Sequence, residues 1–180
     1  VVDAFVSQLK TAIQELKTGN PLDNSTQIGS LARIDLAEEL EIQVKKSIEM
    51  GAKLVCGGKR TEAFYEPTIL TNVSAEMPVF KEETFGPVVA ITTFKTLEEA
   101  IELSNTSEFG LGVSVFTQDI ETIKKHINSF NEGAVFINEM VKSDPRLPFG
   151  GIKKSGYGRE LSEDGIKEFV NVKTVVVSIL

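Results

Sequence analysis

Val88-Val89-Ala90-Ile91-Thr92-Thr93-Phe94 is the first of three apolar, β-branched runs. Leu111-Gly112-Val113-Ser114-Val115-Phe116 and Ala134-Val135-Phe136-Ile137-Asn138 are the other two. Two segments of helical spacing separate them. One opens on the capping box Thr96-Leu97-Glu98-Glu99 and runs through about Ser104; the other covers Asp119 to Phe130. Strand, helix, strand, helix, strand within about fifty residues predicts a βαβαβ unit. The fold class is therefore α/β, with a parallel sheet, right-handed crossovers and flanking helices.

Towards the N-terminus, Val2, Phe5, Val6, Leu9, Ile13 and Leu16 form the stripe of a helix with a buried face. No capping residue precedes it, so the chain is expected to be cut from a longer one; a processed or tagged terminus is the alternative. Thr18-Gly19-Asn20-Pro21 stops this helix. A second helix is predicted over Leu31–Met50, with Ile34, Leu40, Val44 and Ile48 inward and Gly51 past its end. Lys53-Leu54-Val55-Cys56 reads as a strand turned by Gly57-Gly58. Residues 63–75 look extended, but Pro67 argues against a central strand there. Beyond the three runs lie a Pro/Gly-rich loop over 143–158, a helix over about 159–170, and the apolar tail Val172–Leu180.

The 180 residues are 25% charged and 41% apolar, a globular balance that excludes a disordered chain. The net charge of −7 gives no basic surface for phosphates or acidic lipids, so neither a nucleic-acid nor a membrane partner is expected. No apolar stretch approaches the ~20 residues of a membrane span. No secretory leader is visible, and a cytoplasmic location is expected. Asn24, Asn72 and Asn105 open Asn-x-Ser/Thr triplets, which read as chance in that setting. One cysteine and one histidine exclude an internal disulfide, a multi-cysteine metal site and a histidine-pair zinc site. No metal is expected.

Several glycine patterns fail as nucleotide motifs. Gly110-Leu111-Gly112 begins a dinucleotide fingerprint, but Val115 stands at its last glycine and the pattern precedes a strand. Gly151 to Gly156 has the phosphate-loop spacing, but Tyr157 occupies the position of the phosphate-binding lysine. Cys56 ends a short strand in apolar sequence and reads as a buried structural thiol. His126 follows Lys124 and Lys125 on a helix and reads as solvated.

Two segments do not read as core or as plain loop. In Glu82-Glu83-Thr84-Phe85-Gly86-Pro87, a carboxylate can hold a diol through two hydrogen bonds, and an aromatic ring two residues on can pack beside the ligand. In Pro148-Phe149-Gly150-Gly151-Ile152-Lys153-Lys154-Ser155-Gly156-Tyr157-Gly158-Arg159-Glu160, the glycines allow backbone to approach something closely.

Together, in this order, the two segments resemble the NAD(P)-dependent aldehyde dehydrogenase superfamily. Residues 82–88 match its E-E-x-F-G-P-V signature and residues 148–160 its P-F-G-G-x-K-x-S-G-x-G-R-E signature. The resemblance extends over essentially the whole chain, including Gly51–Gly58 and Glu168–Thr174. Phe136 to Leu147 is most similar to the succinate-semialdehyde branch.

The resemblance implies an oxidoreductase that turns an aldehyde into its acid with reduction of NAD or NADP. A thiolate attacks the aldehyde, donors hold the oxyanion, and an activated water releases the product. It implies that Glu83 holds the nicotinamide-side ribose and that Phe85 packs beside the nicotinamide. Phe149 would line the substrate funnel, Glu160 would serve a proton relay, and Asn138 would orient the loop beneath the nucleophile. For an aldehyde bearing a carboxylate, Ser143 and Arg146 are the candidate anion binders, with Lys142 weaker.

The family's F-x-x-x-G-Q-x-C nucleophile motif does not occur in the sequence, nor do its base glutamate and oxyanion asparagine. The expectation is thus a C-terminal piece: residues 1–171 from the catalytic domain and 172–180 an oligomerisation strand. Its partners would be the missing N-terminal part and other copies in a homo-oligomer. A naturally short, non-catalytic relative that only binds partners is the alternative, and the coding sequence upstream of Val1 discriminates the two. A stand-alone nucleotide-binding module is disfavoured by the failed glycine fingerprints.

Overall fold

A computed structural model describes residues 1–179; Leu180, the last residue of the expected terminal strand, lies outside the described residues. The chain divides into two compact units, Val1–Thr96 and Leu97–Leu180.

The first unit opens with α1 (Val2–Gln14), which has no buried residue. The predicted helix is present, but its stripe is not buried: Phe5 is 52% exposed. Helix α2 (Ile34–Glu49) buries Ala37, Leu40, Val44 and Ser47. This corrects the predicted face, because Ile34 and Ile48 are exposed. The i, i+3, i+7, i+10 stripe is intact but uses two small residues, which let neighbouring backbone come close. Gly51, at a φ of +111°, turns the chain out of the helix.

Strand β1 (Lys53–Cys56) follows, then the short hairpin β2 (Arg60–Thr61) and β3 (Phe64–Tyr65). Strand β4 (Thr68–Thr71) is the centre of a three-stranded sheet of order β1-β4-β5, with β5 at Val88–Ala90. Here the reading of Pro67 is corrected. Pro67 stands one residue before the strand, so its missing N–H costs no ladder bond, and Thr68 N–H donates to the Pro87 carbonyl at 2.8 Å. Thr68, Ile69 and Leu70 are fully buried. β1 runs antiparallel and β5 parallel to β4. The core joins Leu40 and Val44 of α2 to Tyr65, Leu70, Val73 and Met77. Helix α3 (Pro78–Lys81) lies between β4 and β5.

The second unit holds α4 (Leu97–Thr106), β6 (Phe109–Gly110), β7 (Val113–Val115), α5 (Ile120–Lys125), β8 (Val135–Ile137), β9 (Ile152–Lys153) and α6 (Ser162–Lys167). Asp119 caps α5 by accepting from Thr122 N–H at 3.1 Å. β7 and β8 pair in parallel on either side of α5, and β6 pairs antiparallel with β9.

The expected βαβαβ unit is therefore divided. β7-α5-β8 is a parallel βαβ arrangement, whereas β5 pairs with β4. The buried β4, with Ile69 and Leu70 at its centre, offers a partner that the spacing of the three runs does not reveal. The α/β class stands on mixed helix and strand content. Residues 171–179 form no regular element and are exposed.

Candidate active site

In the first unit the acidic segment leaves α3 and enters β5. Glu83 and Phe85 line one cavity of about 330 Å³, with Leu36, Glu39, Leu40 and Gln43 of α2. The Phe85 ring is 71% exposed. No partner holds the Glu83 carboxylate among the described residues, whereas Glu82 is tied: Gln43 Nε2 donates to Glu82 Oε2 at 3.0 Å and to the Glu83 carbonyl at 3.2 Å. Gly86 passes so close to α2 that a Cβ there would stand 2.3 Å from Leu40 Cδ2. One turn further along, Ser47 Oγ accepts from Val79 N–H at 3.2 Å while donating to the Gln43 carbonyl at 2.8 Å.

In the second unit the glycine-rich segment spends most of its polar residues on its own shape. Lys153 Nζ donates to the Asn105 and Ser107 carbonyls at 2.8 Å each, where α4 leaves its last carbonyls without helical partners. Ser155 Oγ accepts from Gly110 N–H at 3.0 Å. Arg159 Nη1 donates to the Gly151 and Gly158 carbonyls at 3.0 and 2.6 Å. Phe149 and Glu160 form an antiparallel bridge, with Phe149 half-buried and Glu160 exposed.

Asn138, at a φ of +55°, accepts from Thr117 N–H at Oδ1 and donates from Nδ2 to the Thr117 carbonyl, both at 2.8 Å. Its amide prolongs the β7–β8 ladder past Ile137. Arg146 makes a bidentate fork to Asp144, Nε to Oδ1 at 2.9 Å and Nη2 to Oδ2 at 2.6 Å. The guanidinium holds the Asp144 carboxyl well below the usual carboxylate range. Arg146 also lines an open cavity of about 600 Å³ with Pro145, Pro148 and Ser162. Ser143 is exposed and stands outside that lining. Lys142 pairs with Glu139 at 3.0 Å.

Glu83 and Phe85 thus share one cavity of the first unit, and Phe149 and Glu160 one bridge of the second. Sequence reading missed Gln43; its one visible signal is its place between Leu40 and Val44 on the edge of the α2 stripe. The thiol expected to be buried is half-exposed: Cys56 lines a cavity with Phe64 and Pro67, beside a bulge in β1. His126 is half-buried, with Nδ1 2.9 Å from the Thr122 carbonyl. Among the described residues no helix is long and apolar enough to cross a membrane.

The family model described as "Aldehyde dehydrogenase family" matches residues 1–175. "Succinate semialdehyde dehydrogenase [NAD(P)+] Sad" of Escherichia coli (strain K12) is 46% identical over 178 residues, 97% of this chain and 38% of that protein. "Probable succinate-semialdehyde dehydrogenase [NADP(+)]" of Synechocystis sp. is 47% identical over 181 residues, 99% of this chain and 40% of that protein. A solved succinate-semialdehyde dehydrogenase from Burkholderia pseudomallei superposes with a TM-score of 0.89 at 37% identity, over 94% of this chain and 36% of its own. The chain therefore spans well under half the length of these relatives.

Proposed function

This chain belongs to the aldehyde dehydrogenase family, and on that footing we propose that it is the C-terminal part of an NAD(P)-dependent succinate-semialdehyde dehydrogenase. The observation that carries the reading is the 46% and 47% identity to two relatives bearing that name, each aligned with nearly all of this chain. The fragment reading is supported by the 38% and 40% of those relatives that it spans and by the absence of the nucleophile motif from the sequence.

The residues present fit a nicotinamide cofactor in part. Glu83 and Phe85 offer a free carboxylate and an exposed ring in one cavity, at the lower end of the roughly 300–1,000 Å³ of ligand pockets. Glu83 would hold the ribose hydroxyls through charge-assisted hydrogen bonds, and Phe85 would shield the ring beside them from water. When bound, the cofactor supplies hydride acceptance.

Phe149 would line the passage to the aldehyde and Glu160 would pass a proton towards the base. The thiolate, base and oxyanion donor come from the rest of the parent. Ser143 and Arg146 would bind the substrate carboxylate. Asp144 occupies one edge of the guanidinium and fixes its plane, leaving Nη1 for a second anion. Residues 172–180 serve as the oligomerisation strand beyond a catalytic region of 1–171, in a homo-oligomeric cytoplasmic enzyme.

The test is NAD(P) reduction by the full-length parent. Succinate semialdehyde should be turned over with a higher kcat/KM than an uncharged aldehyde of the same length. Equal values for both would overturn the substrate assignment.

A further inference from the structure

We infer that Gln43 is a positioning residue that sets the cofactor carboxylate by holding its neighbour. The inference rests on the proposed role of Glu83. From α3 (Pro78–Lys81) through the loop that reaches β5 at Val88, the chain runs along one face of α2. Three residues of that face meet it in register. Ser47 takes Val79 N–H, Gln43 takes Glu82 and Glu83, and Leu40 packs where Gly86 has no side chain. They are spaced i, i+3, i+7, so they form one stripe that the loop follows in the opposite direction.

Gln43 sits in the middle of this stripe and is the polar group at the critical step. A primary amide has two N–H donors on one nitrogen. Here they reach the Glu82 carboxylate and the Glu83 carbonyl, at 3.0 and 3.2 Å. The two acids are chemically equal in sequence, and this contact makes them unequal. Glu82 is turned onto α2 as an anchor, and the backbone of Glu83 is fixed at its carbonyl. The Glu83 carboxylate stays on the cavity side, in the cavity that Gln43 itself lines. Without the amide, the loop has two adjacent acids and no device for choosing between them. A ligand held by two hydroxyls tolerates little displacement of its acceptor.

The experiment uses the full-length enzyme with Gln43→Ala, Gln43→Glu, Glu82→Ala, Glu83→Gln and the double variant Gln43→Ala/Glu83→Gln. NADH and NADPH affinity is read by fluorescence titration, hydride transfer by single-turnover absorbance, and folding by Tm. Gln43→Ala should weaken cofactor affinity or slow hydride transfer by about tenfold or more at unchanged Tm. It should add little in the Glu83→Gln background, as expected of residues acting on one group.

Gln43→Glu should be worse at about pH 8 and recover towards about pH 5.5, where one proton shared between carboxylates restores the hydrogen bond; the native protein should lack this recovery. If Gln43→Ala does not fold, Glu82→Ala removes one of the two ties from the loop side and should give a smaller loss in the same direction, native affinity and transfer there overturning the inference. Native affinity and transfer in Gln43→Ala, or losses that add fully to those of Glu83→Gln, would overturn the inference while leaving the role of Glu83 standing. Native behaviour of Glu83→Gln would remove that role and the inference with it.

Discussion

Phe149 and Glu160 exchange both of their backbone hydrogen bonds: Phe149 N–H donates to the Glu160 carbonyl at 2.9 Å, and Glu160 N–H to the Phe149 carbonyl at 2.8 Å. Residues paired in this way across antiparallel backbone project to the same side. The bridge therefore sends the aromatic ring and the carboxylate in one direction from the two ends of a glycine-rich loop. The loop between them is closed tightly. A Cβ on Gly150 would stand 2.6 Å from the Gly158 carbonyl oxygen, and one on Gly133 only 1.9 Å from that of Gly150. Here the glycines permit backbone to lie against backbone, which is why the pattern reads like a phosphate loop without being one.

Substrate selectivity should follow the 143–146 loop. In the full-length enzyme, Ser143→Ala or Arg146→Ala should raise KM for succinate semialdehyde severalfold or more, with little change for an uncharged aldehyde, because a charge-assisted contact is worth about 1.5–3 kcal/mol. Asp144→Asn should act in the same direction by loosening the guanidinium. Steady-state kinetics on the two substrates decides it, and parallel KM changes on both would count against an anion site.

Alkaline pH should expose the Tyr65 phenol. Tyr65 is fully buried with no hydrogen-bond partner for its hydroxyl among the described residues. Burial first, then the nearby Glu41 and Glu66 charges, push its pKa up to about 12. The neutral form is thus favoured by the fold. Its contribution is fully present below the unfolded value of about 10 and is lost as pH rises through 12. Two pH units correspond to about 2–3 kcal/mol as an upper bound. Tyr65→Phe should leave Tm near neutrality unchanged or higher and flatten its fall between about pH 10 and 12. A parallel fall in both proteins would show that another group governs alkaline unfolding.

Removal of residues 172–180 should change the assembly. The tail is apolar and β-branched, and Val172, Val176 and Ile179 are 89%, 85% and 96% exposed. Such a segment gains most by pairing with a sheet edge on another subunit. Light scattering on the full-length enzyme with and without the tail should report a smaller oligomer after deletion; an unchanged mass would remove the role.

The 180-residue chain by itself should not oxidise aldehydes. Its one thiol, Cys56, lies on β1, and nucleophile, base and oxyanion donor lose their effect together when removed as a unit. NAD reduction with succinate semialdehyde should stay at background for the chain and for Cys56→Ser alike. Turnover that vanishes in Cys56→Ser would identify that thiol as a nucleophile.

The sequence speaks most clearly where a residue type serves one purpose. Gly51 ends α2, Asp119 caps α5, and the Val113–Val115 and Val135–Ile137 runs are parallel strands around a helix. It speaks less clearly where the answer depends on a distant partner. Small Ala37 and Ser47 outrank Ile34 and Ile48 for burial because backbone must approach α2 closely. The partner of β5 is β4, and no local pattern encodes that choice. In the candidate site, the two acidic and glycine-rich segments stand out by composition. The unequal hydrogen bonding of Glu82 and Glu83 does not, because it comes from an amide 39 and 40 residues earlier.

Lys153 gives the second unit a folding order. Its ammonium closes onto carbonyls 48 and 46 residues away, at the end of a helix that forms from local contacts. Such helices assemble in about a microsecond or less, while long closures wait for the ends to meet. The glycine-rich loop is therefore expected to take its shape last, on a helix end that already exists. Fraying of the final turn of α4 would free the lysine and slacken the loop behind Phe149. The glycine-rich loop that carries Phe149 is then expected to order after α4 and to loosen with it.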